Sequence, residues 1–175
     1  MTATTIEPIE LLNRRLSSSF DQNVKDPRSV YLKFYIDAYT PALLSMKNIQ
    51  EAVVLSSGLL TTMPNMPSYI LGLTNRRSRV MWVVDISQMV GLPKITFIPP
   101  KLDILVIKVG SFLSALAIHK IEGTIRVDSS EINAAPSHIS PALIPYLEGC
   151  VLKSKTIFLV LDAEAIAQSS LLHKL

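Results

Sequence analysis

The densest group of side chains that could do binding chemistry is a cluster of three arginines, Arg76, Arg77 and Arg79, in the stretch GLTNRRSRVMWVVDIS (72–87). Five consecutive apolar residues follow the cluster, and Asp85 closes the apolar run. A guanidinium group is a planar, always-charged donor that suits phosphates, carboxylates and carbonyl oxygens. The cluster is therefore compatible with a nucleic-acid contact, a phosphate site, a protein-docking corner or a solvated turn.

The residues that usually carry catalysis or bind metals are scattered. His119, His138 and His173 have no further His or Cys at metal-ligand spacing, and Cys150 has no neighbouring charge that would lower its thiol pKa. The glycine-rich phosphate loops and the nucleophile-elbow motif are also missing from the sequence. We therefore predict no catalytic residue, no metal site and no cofactor.

Composition favours a folded binding protein over a strongly charged one. Of 175 residues, 49% are hydrophobic and 18% are charged, and the net charge is only +3. The positive excess is local, because residues 76–108 hold six Lys/Arg against Asp85 and Asp103. A small barrel that binds nucleic acid through the 76–79 arginines and Trp82 is the alternative function. Trp82 lies within an apolar run, however, which favours a core or docking residue, so we expect no nucleic-acid partner.

The sequence also indicates where the protein works. Its apolar runs are shorter than the roughly 18 residues of a membrane span, and the first twenty residues lack a secretory signal. A single cysteine fits a reducing compartment. We expect a cytoplasmic protein without direct membrane insertion.

The first residues differ in pattern from those that follow. Apolar residues at helical spacing predict a short amphipathic helix at about 8–17 within an N-terminal extension, residues 1–29. Residues 30–175 form the main domain in this prediction. We favour a helix that packs on its own domain over a partner-binding arm, and a membrane-surface helix is the weakest alternative.

From residue 30 onwards the pattern is mainly that of short strands. We predict a strand at 30–36, two strands flanking 46–48, a helical turn ending at Gly72, a central strand at 80–86, hairpins around 110–111 and 153–155, and a C-terminal helix capped by Asp162. No repeat of fixed period is visible. Many short strands with regular turns predict closed or partly closed β-barrels.

Five segments in a fixed order resemble the CheW family of chemosensory adaptors, which includes the regulatory domain of CheA kinases. They cover the chain from about Tyr31 to Leu172. The most specific matches the family pattern I-x-G-x-x-N-x-R-G followed by an apolar strand and Asp, with Gly72, Asn75, Arg77 and Asp85 in register. The segments are YLKFYI (31–36), NIQEAV (48–53), MPNMPSYILGLTNRRSRVMWVVDIS (63–87), PYLEGC (145–150) and IFLVLDAEAI (157–166).

The resemblance implies a mainly β fold of two intertwined five-stranded SH3-like β-barrels, with short N- and C-terminal helices. It implies no catalysis. The expected function is that of a non-catalytic scaffold coupling chemoreceptors to a CheA-type histidine kinase in chemotaxis or in twitching or phototactic motility. The expected partners are the kinase regulatory domain and the cytoplasmic tip of a methyl-accepting chemoreceptor, so the adaptor would associate with receptor arrays through them.

The resemblance also implies which residues bind these partners. Ile49 and Gly72 would lie on the groove that receives the receptor tip. Asn75 and Arg77 would sit at one corner of that groove, with Arg77 most closely tied to receptor and kinase coupling.

Four positions near the corner depart from the family pattern. Ser78 replaces the usual glycine, Trp82 replaces a proline, Arg76 replaces an apolar residue, and Arg79 adds a charge. We include Arg76, Ser78 and Arg79 among the candidate receptor- and kinase-binding residues, and we expect their charge to select an acidic partner surface.

Overall fold

The computed structural model describes residues 9–18, 26–93, 97–173 and 175. In that part of the chain ten strands form two five-stranded sheets, each with one parallel pair among antiparallel ones. The first sheet has the order β8-β1-β2-β10-β9. Its strands are β1 (Ser29–Tyr35), β2 (Pro41–Ser45), β8 (Lys120–Val127), β9 (Leu147–Lys153) and β10 (Thr156–Leu161).

Along the chain, the strands of the second sheet come between β2 and β8 of the first. The second sheet has the order β3-β6-β7-β5-β4. Its strands are β3 (Ile49–Ser56), β4 (Ile70–Arg76), β5 (Arg79–Asp85), β6 (Lys101–Val109) and β7 (Phe112–Ile118). The chain thus leaves the first sheet after β2 and returns to it at β8. The prediction of a mainly β fold with two intertwined five-stranded units is confirmed.

The helices are short. They are α1 (Ile9–Ser18), α2 (Ile86–Met89), α3 (Ala163–Ala167) and α4 (Ser170–His173), with 3-10 turns at Met46–Asn48, Ser57–Leu59, Ser129–Glu131 and Ile144–Tyr146. Asp85 caps α2 and Asp162 caps α3 by accepting backbone N–H groups of the first turn. The predicted cap at Asp162 is confirmed.

Strand side chains are buried on both faces because each sheet has an inner core and also packs against the other sheet. On β1, Leu32 and Phe34 enter the core shared by both sheets, whereas Tyr31 enters the inner core of the first sheet. On β6, Leu105 belongs to the shared core and Ile104 to the inner core of the second sheet. This double burial explains apolar runs that do not alternate with polar residues.

Helix α1 packs on the second sheet, as the favoured interpretation of the N-terminal segment proposed. Leu12 is 1% exposed in the shared core. The Asn13 amide donates to the Ala52 carbonyl at 2.8 Å and accepts from the Ala52 N–H at 3.0 Å, so it pairs with the backbone of β3. The division of the chain at residues 29 and 30 stays a prediction.

The predicted helical turn ending at Gly72 is wrong. A turn does occur, with the Ile70 N–H donating to the Pro67 carbonyl at 2.9 Å, but β4 begins at Ile70 and runs through Gly72. Beside Gly72, Thr61 forms an antiparallel backbone bridge with Leu73. The Thr61 N–H donates to the Leu73 carbonyl and the Leu73 N–H donates to the Thr61 carbonyl, both at 2.8 Å. This bridge holds the segment extended, and local sequence does not reveal it.

One structural unit occurs twice, which the sequence analysis missed. The sequences of residues 69–85 and 146–162 align without gaps at an offset of 77. They are identical at four positions, which hold Tyr, Gly, Val and Asp. In each copy the Asp N–H donates to the Tyr carbonyl, at 2.7 Å for Asp85 and 2.8 Å for Asp162. Each copy is a hairpin, β4–β5 or β9–β10, that ends in a capped helix.

Candidate functional site

The arginine cluster forms a tight hairpin turn between β4 and β5. Arg76 pairs with Arg79, which leaves Arg77 and Ser78 as a two-residue loop. Their φ angles are 50° and 62°, so both residues are left-handed, as a type I′ turn requires. Residues 76–79 are called the basic corner below.

The turn keeps this geometry without the glycine that the family pattern places at position 78. A left-handed conformation costs a residue with a Cβ about 1–2 kcal/mol. Ser78 therefore holds a strained conformation, and the pairing of β4 with β5 must compensate for it. The same pairing places Arg77 at the tip of the hairpin.

Glu51 on β3 forms ion pairs with two arginines of the basic corner. The Arg76 guanidinium holds its carboxylate in a two-point contact: Arg76 Nε lies 3.0 Å from Glu51 Oε2, and Arg76 Nη2 bonds to Glu51 Oε1. Arg77 Nη2 makes a longer contact to the same Oε1, at 3.3 Å. This geometry ties β3 to the β4–β5 turn.

The ion pair shifts the titration of both partners. Hydrogen bonding to Arg76 lowers the pKa of Glu51 below its ordinary value, and burial opposes this effect only in part. The same bond raises the pKa of Arg76. Glu51 is therefore ionised at neutral pH, and its charge is committed to the corner.

Arg76 and Arg77 have different roles in this arrangement. The Arg76 side chain is 36% exposed and bonded twice, whereas the Arg77 side chain is 77% exposed and makes one long contact. Arg79 is also exposed. Two guanidinium groups contact one buried carboxylate and Arg79 adds a third positive charge, so the corner presents net positive charge outward.

The other candidate residues lie along the same strands, but not all at the surface. Asn75 is exposed on β4 opposite Val80. Ile49 begins β3 and is only 6% exposed, within the shared core. Gly72 is buried, and a Cβ there would lie 2.6 Å from the Thr61 carbonyl oxygen. The structure thus gives Ile49 and Gly72 clear packing roles beneath the corner.

Glu51 is the residue of this ion-pair arrangement that the sequence alone did not single out. It was quoted only as part of the NIQEAV segment, and nothing in the linear sequence connects it with residue 76. The available signal was a glutamate within an apolar strand, because a buried carboxylate needs a cationic partner.

Trp82 does not support the nucleic-acid alternative. Its side chain is half-buried and packs against the shared core, and Leu73 lies opposite it on β4. A ring in that position is not free to stack on bases, so the corner offers charge without a stacking platform.

A cavity of about 440 Å³ lies at the opposite end of β4 from the basic corner. Its lining includes Met63, Met66, Ile70, Leu102, Asp103 and His119. Burial raises the pKa of Asp103, and the N–H of Ile121 contacts its carboxylate at 3.4 Å. None of the basic-corner residues lines this cavity.

Two features are absent from the ranges that the structure describes. No group of three or more His, Cys, Asp or Glu side chains there is arranged to hold a metal ion. None of the helices there combines the length and apolar character that a bilayer crossing would need.

Comparison with known proteins gives concordant results. The family model of the CheW-like domain matches residues 31–171. The chain is 30% identical over 90 residues to Protein FrzA of Myxococcus xanthus, a match that spans 51% of this chain and 54% of that relative. The match therefore spans about half the length of this relative.

A solved structure shows the same architecture. The fold is similar to that of the scaffolding protein TtCheW from Thermoanaerobacter tengcongensis, with a TM-score of 0.68 and 17% identity. The similarity covers 83% of this chain and 95% of that one. This likeness concerns the fold, including its two SH3-like barrel subdomains.

Proposed function

Because this chain belongs to the CheW-like domain family of adaptor and scaffold proteins, we propose that it couples chemoreceptors to a CheA-type histidine kinase and catalyses no reaction itself. Its partners would be the cytoplasmic tip of a methyl-accepting receptor and the regulatory domain of the kinase. Through them the protein would be held at membrane receptor arrays.

The observation that carries this proposal is the construction of the basic corner. The exposed Arg77 stands on a rigid turn, and the turn is tied to β3 through Arg76 and Glu51. Because the turn fixes the Arg77 backbone, only the side chain loses conformational entropy when its guanidinium binds carboxylates or carbonyl oxygens of a partner. Arg79 adds charge that favours an acidic partner surface.

The packing of Ile49 and Gly72 supports the same assignment. Gly72 allows residue 61 to cross β4 closely, and Ile49 anchors the start of β3 in the core. Both residues are buried, so they would act by fixing β3 and β4 in place and not by touching a partner. We propose that Ile49, Gly72, Asn75, Arg76, Arg77, Ser78 and Arg79 together form the receptor- and kinase-binding region.

Signalling by such an adaptor requires no chemical step. A bridge that binds one receptor state or one kinase state more tightly shifts the other partner's equilibrium by that difference in affinity. The motility output, whether chemotaxis, twitching or phototaxis, stays a prediction from the resemblance.

Co-elution from a size-exclusion column tests the proposal. A receptor-tip fragment and a CheA regulatory domain from the same organism are mixed with and without this protein. We expect a three-component peak that requires the adaptor. If the adaptor elutes apart from both partners, the coupling function is wrong, and a gel shift with steep salt dependence would then favour the nucleic-acid alternative.

A further inference from the structure

Helix α1 covers the edge of β3, the strand that carries Ile49 and Glu51. β3 stands at one end of the second sheet, and an edge strand presents backbone N–H and carbonyl groups that a neighbour can pair with. The Asn13 amide donates to the Ala52 carbonyl at 2.8 Å and accepts from the Ala52 N–H at 3.0 Å. The same two-way exchange joins a hydrogen-bonded residue pair of two antiparallel strands. Asn13 therefore pairs with the edge of β3 as a strand residue would.

The apolar side of α1 closes the core beside this edge. Leu12 is 1% exposed and belongs to the core shared by both sheets, as Ala52 does, and Ile9 is partly buried against the same core. Leu11, on the outer side of the helix, is 45% exposed. Of residues 9–14, whose side chains the structure describes, only Leu12 is fully buried. A leucine and the amide of the next residue are thus the main contacts of this part of α1 with the domain.

Two properties make α1 exchangeable for another helix. It has ten residues, and a helix of that length depends on its tertiary contacts because it is marginal in isolation. It also precedes residues 31–171, the part of the chain that the CheW-like domain model matches, so it is an addition to that domain. A second helix that presents an aliphatic side chain followed by an amide has the groups needed to make the same contacts with β3.

The edge that α1 covers adjoins the basic corner. Ala52 directly follows Glu51, and Glu51 forms ion pairs with Arg76 and Arg77. Consecutive residues of β3 therefore hold the corner that we assign to partner binding and the backbone groups that Asn13 occupies.

We propose that α1 is an intramolecular competitor of the receptor tip. In the free protein α1 occupies the edge of β3, and a receptor-tip helix that presents an aliphatic side chain beside an amide displaces it. This inference rests on the proposed adaptor function, because it assigns a regulation to the same binding region. Only molecules with a free β3 edge are competent to bind, so the apparent affinity for the receptor is reduced in proportion to their fraction. The contacts of Leu12 and Asn13 set that fraction.

Hydrogen exchange of the full chain, with and without a saturating receptor-tip fragment, tests the displacement directly. We expect the amides of residues 9–18 to exchange at least tenfold faster in the complex, because α1 loses the contacts that hold it helical, while the amides of β3 stay protected. If the α1 amides exchange as slowly in the complex as in the free chain, or more slowly, the displacement is wrong and the adaptor function stands.

Calorimetric titration of the same fragment into full-chain variants measures the competition. Leu12→Ala and Asn13→Ala each remove a contact with β3 while introducing the strongest helix-forming residue. We expect both variants to bind the fragment at least threefold more tightly than wild type, because more molecules have a free β3 edge. Leu11→Ala is the matched control, since the same change at an exposed position of α1 should leave the affinity within twofold.

The outcomes separate the competition from the adaptor function. A gain in affinity cannot arise from a loss of folding, because an unfolded chain does not bind. If wild type binds the fragment and both variants match the Leu11→Ala control, the competition is wrong and the adaptor function stands. If neither wild type nor the variants bind the fragment, the adaptor function is wrong and this inference falls with it.

Discussion

At the scale of single residues, the central feature is the division of roles between Arg76 and Arg77. The two neighbouring arginines differ in environment: Glu51 holds Arg76 through two hydrogen bonds, whereas the Arg77 side chain is 77% exposed. The sequence identified Arg77 as a candidate through the family pattern and Arg76 as a departure from that pattern. It could not assign the roles, because the carboxylate that separates them lies on a different strand.

Removing the Glu51 charge should destabilise the fold modestly. Glu51→Gln leaves Arg76 without its ionic partner, and we expect a loss of about 1 kcal/mol in the free energy of unfolding, limited because Arg76 can turn to solvent. Urea denaturation at pH 7 measures this loss. Glu10→Gln, an exposed change on α1, is the control and should be neutral.

The same variant predicts a pH dependence with a defined sign. The pKa of folded Glu51 lies below its ordinary value of 4.5, so its stabilising contribution is full above that value and is lost as pH falls through the lower folded value. The stability difference between wild type and Glu51→Gln should therefore shrink over the pH interval that starts at 4.5 and runs downward. A difference that stays constant over this interval would show that the carboxylate charge does not stabilise the corner.

At the scale of elements, local sequence patterns predicted the strands and turns better than they predicted the long-range contacts that join them. The hairpin at 153–155 and the helix cap at Asp162 were predicted correctly, because turn and cap chemistry is local. The turn before β4 was extended wrongly to Gly72, because a backbone bridge from residue 61 keeps this segment in a strand. The repeated hairpin was missed because only Tyr, Gly, Val and Asp are identical between its copies.

Relieving the strained turn should stabilise the protein. Ser78→Gly removes the Cβ from a residue with φ of 62°, and we expect a gain of about 0.5–1 kcal/mol after the added entropy of the unfolded chain is subtracted. Chemical denaturation checks this value. Ser68→Gly, outside the left-handed positions, should give no gain, and equal gains at both sites would contradict the strain assigned to Ser78.

Filling the space at Gly72 should have the opposite effect. In Gly72→Ala the new Cβ would meet the Thr61 carbonyl oxygen at 2.6 Å, and φ at this residue is 149°. We expect a loss of about 2 kcal/mol, measured as a lower urea midpoint. Gly58→Ala, where the nearest atom is 3.7 Å away, should be nearly neutral. A stable Gly72→Ala protein would exclude the close crossing of β4.

At the scale of the whole molecule, two sheets share one core while the chain passes from the first to the second and back. Local periodicity indicated barrels, but the expectation of two intertwined five-stranded units came from the resemblance. The parallel contacts between β2 and β10 and between β5 and β7 join strands far apart in sequence. Local propensity carries no information about such pairings.

The shared core also explains how the candidate site can be rigid. Ile49 lies in that core, Glu51 follows it on β3, and Glu51 holds Arg76 at the basic corner. A partner that binds Arg77 therefore contacts a surface connected directly to the packing between the sheets. We interpret this connection as the physical basis for an adaptor that holds its partners in a fixed relative orientation.

The most direct test of the central claim is the affinity of Arg77→Glu for the receptor-tip fragment and the kinase regulatory domain, measured by isothermal titration calorimetry. Arg77 is exposed and its contact with Glu51 is long, so we expect its reversal to preserve the fold with at most a small fall in melting temperature, while weakening at least one partner about tenfold or more. Lys120→Glu, an exposed charge reversal on β8, should leave both affinities as in wild type. If Arg77→Glu binds both partners as tightly as the Lys120→Glu control, the basic corner is not the docking site.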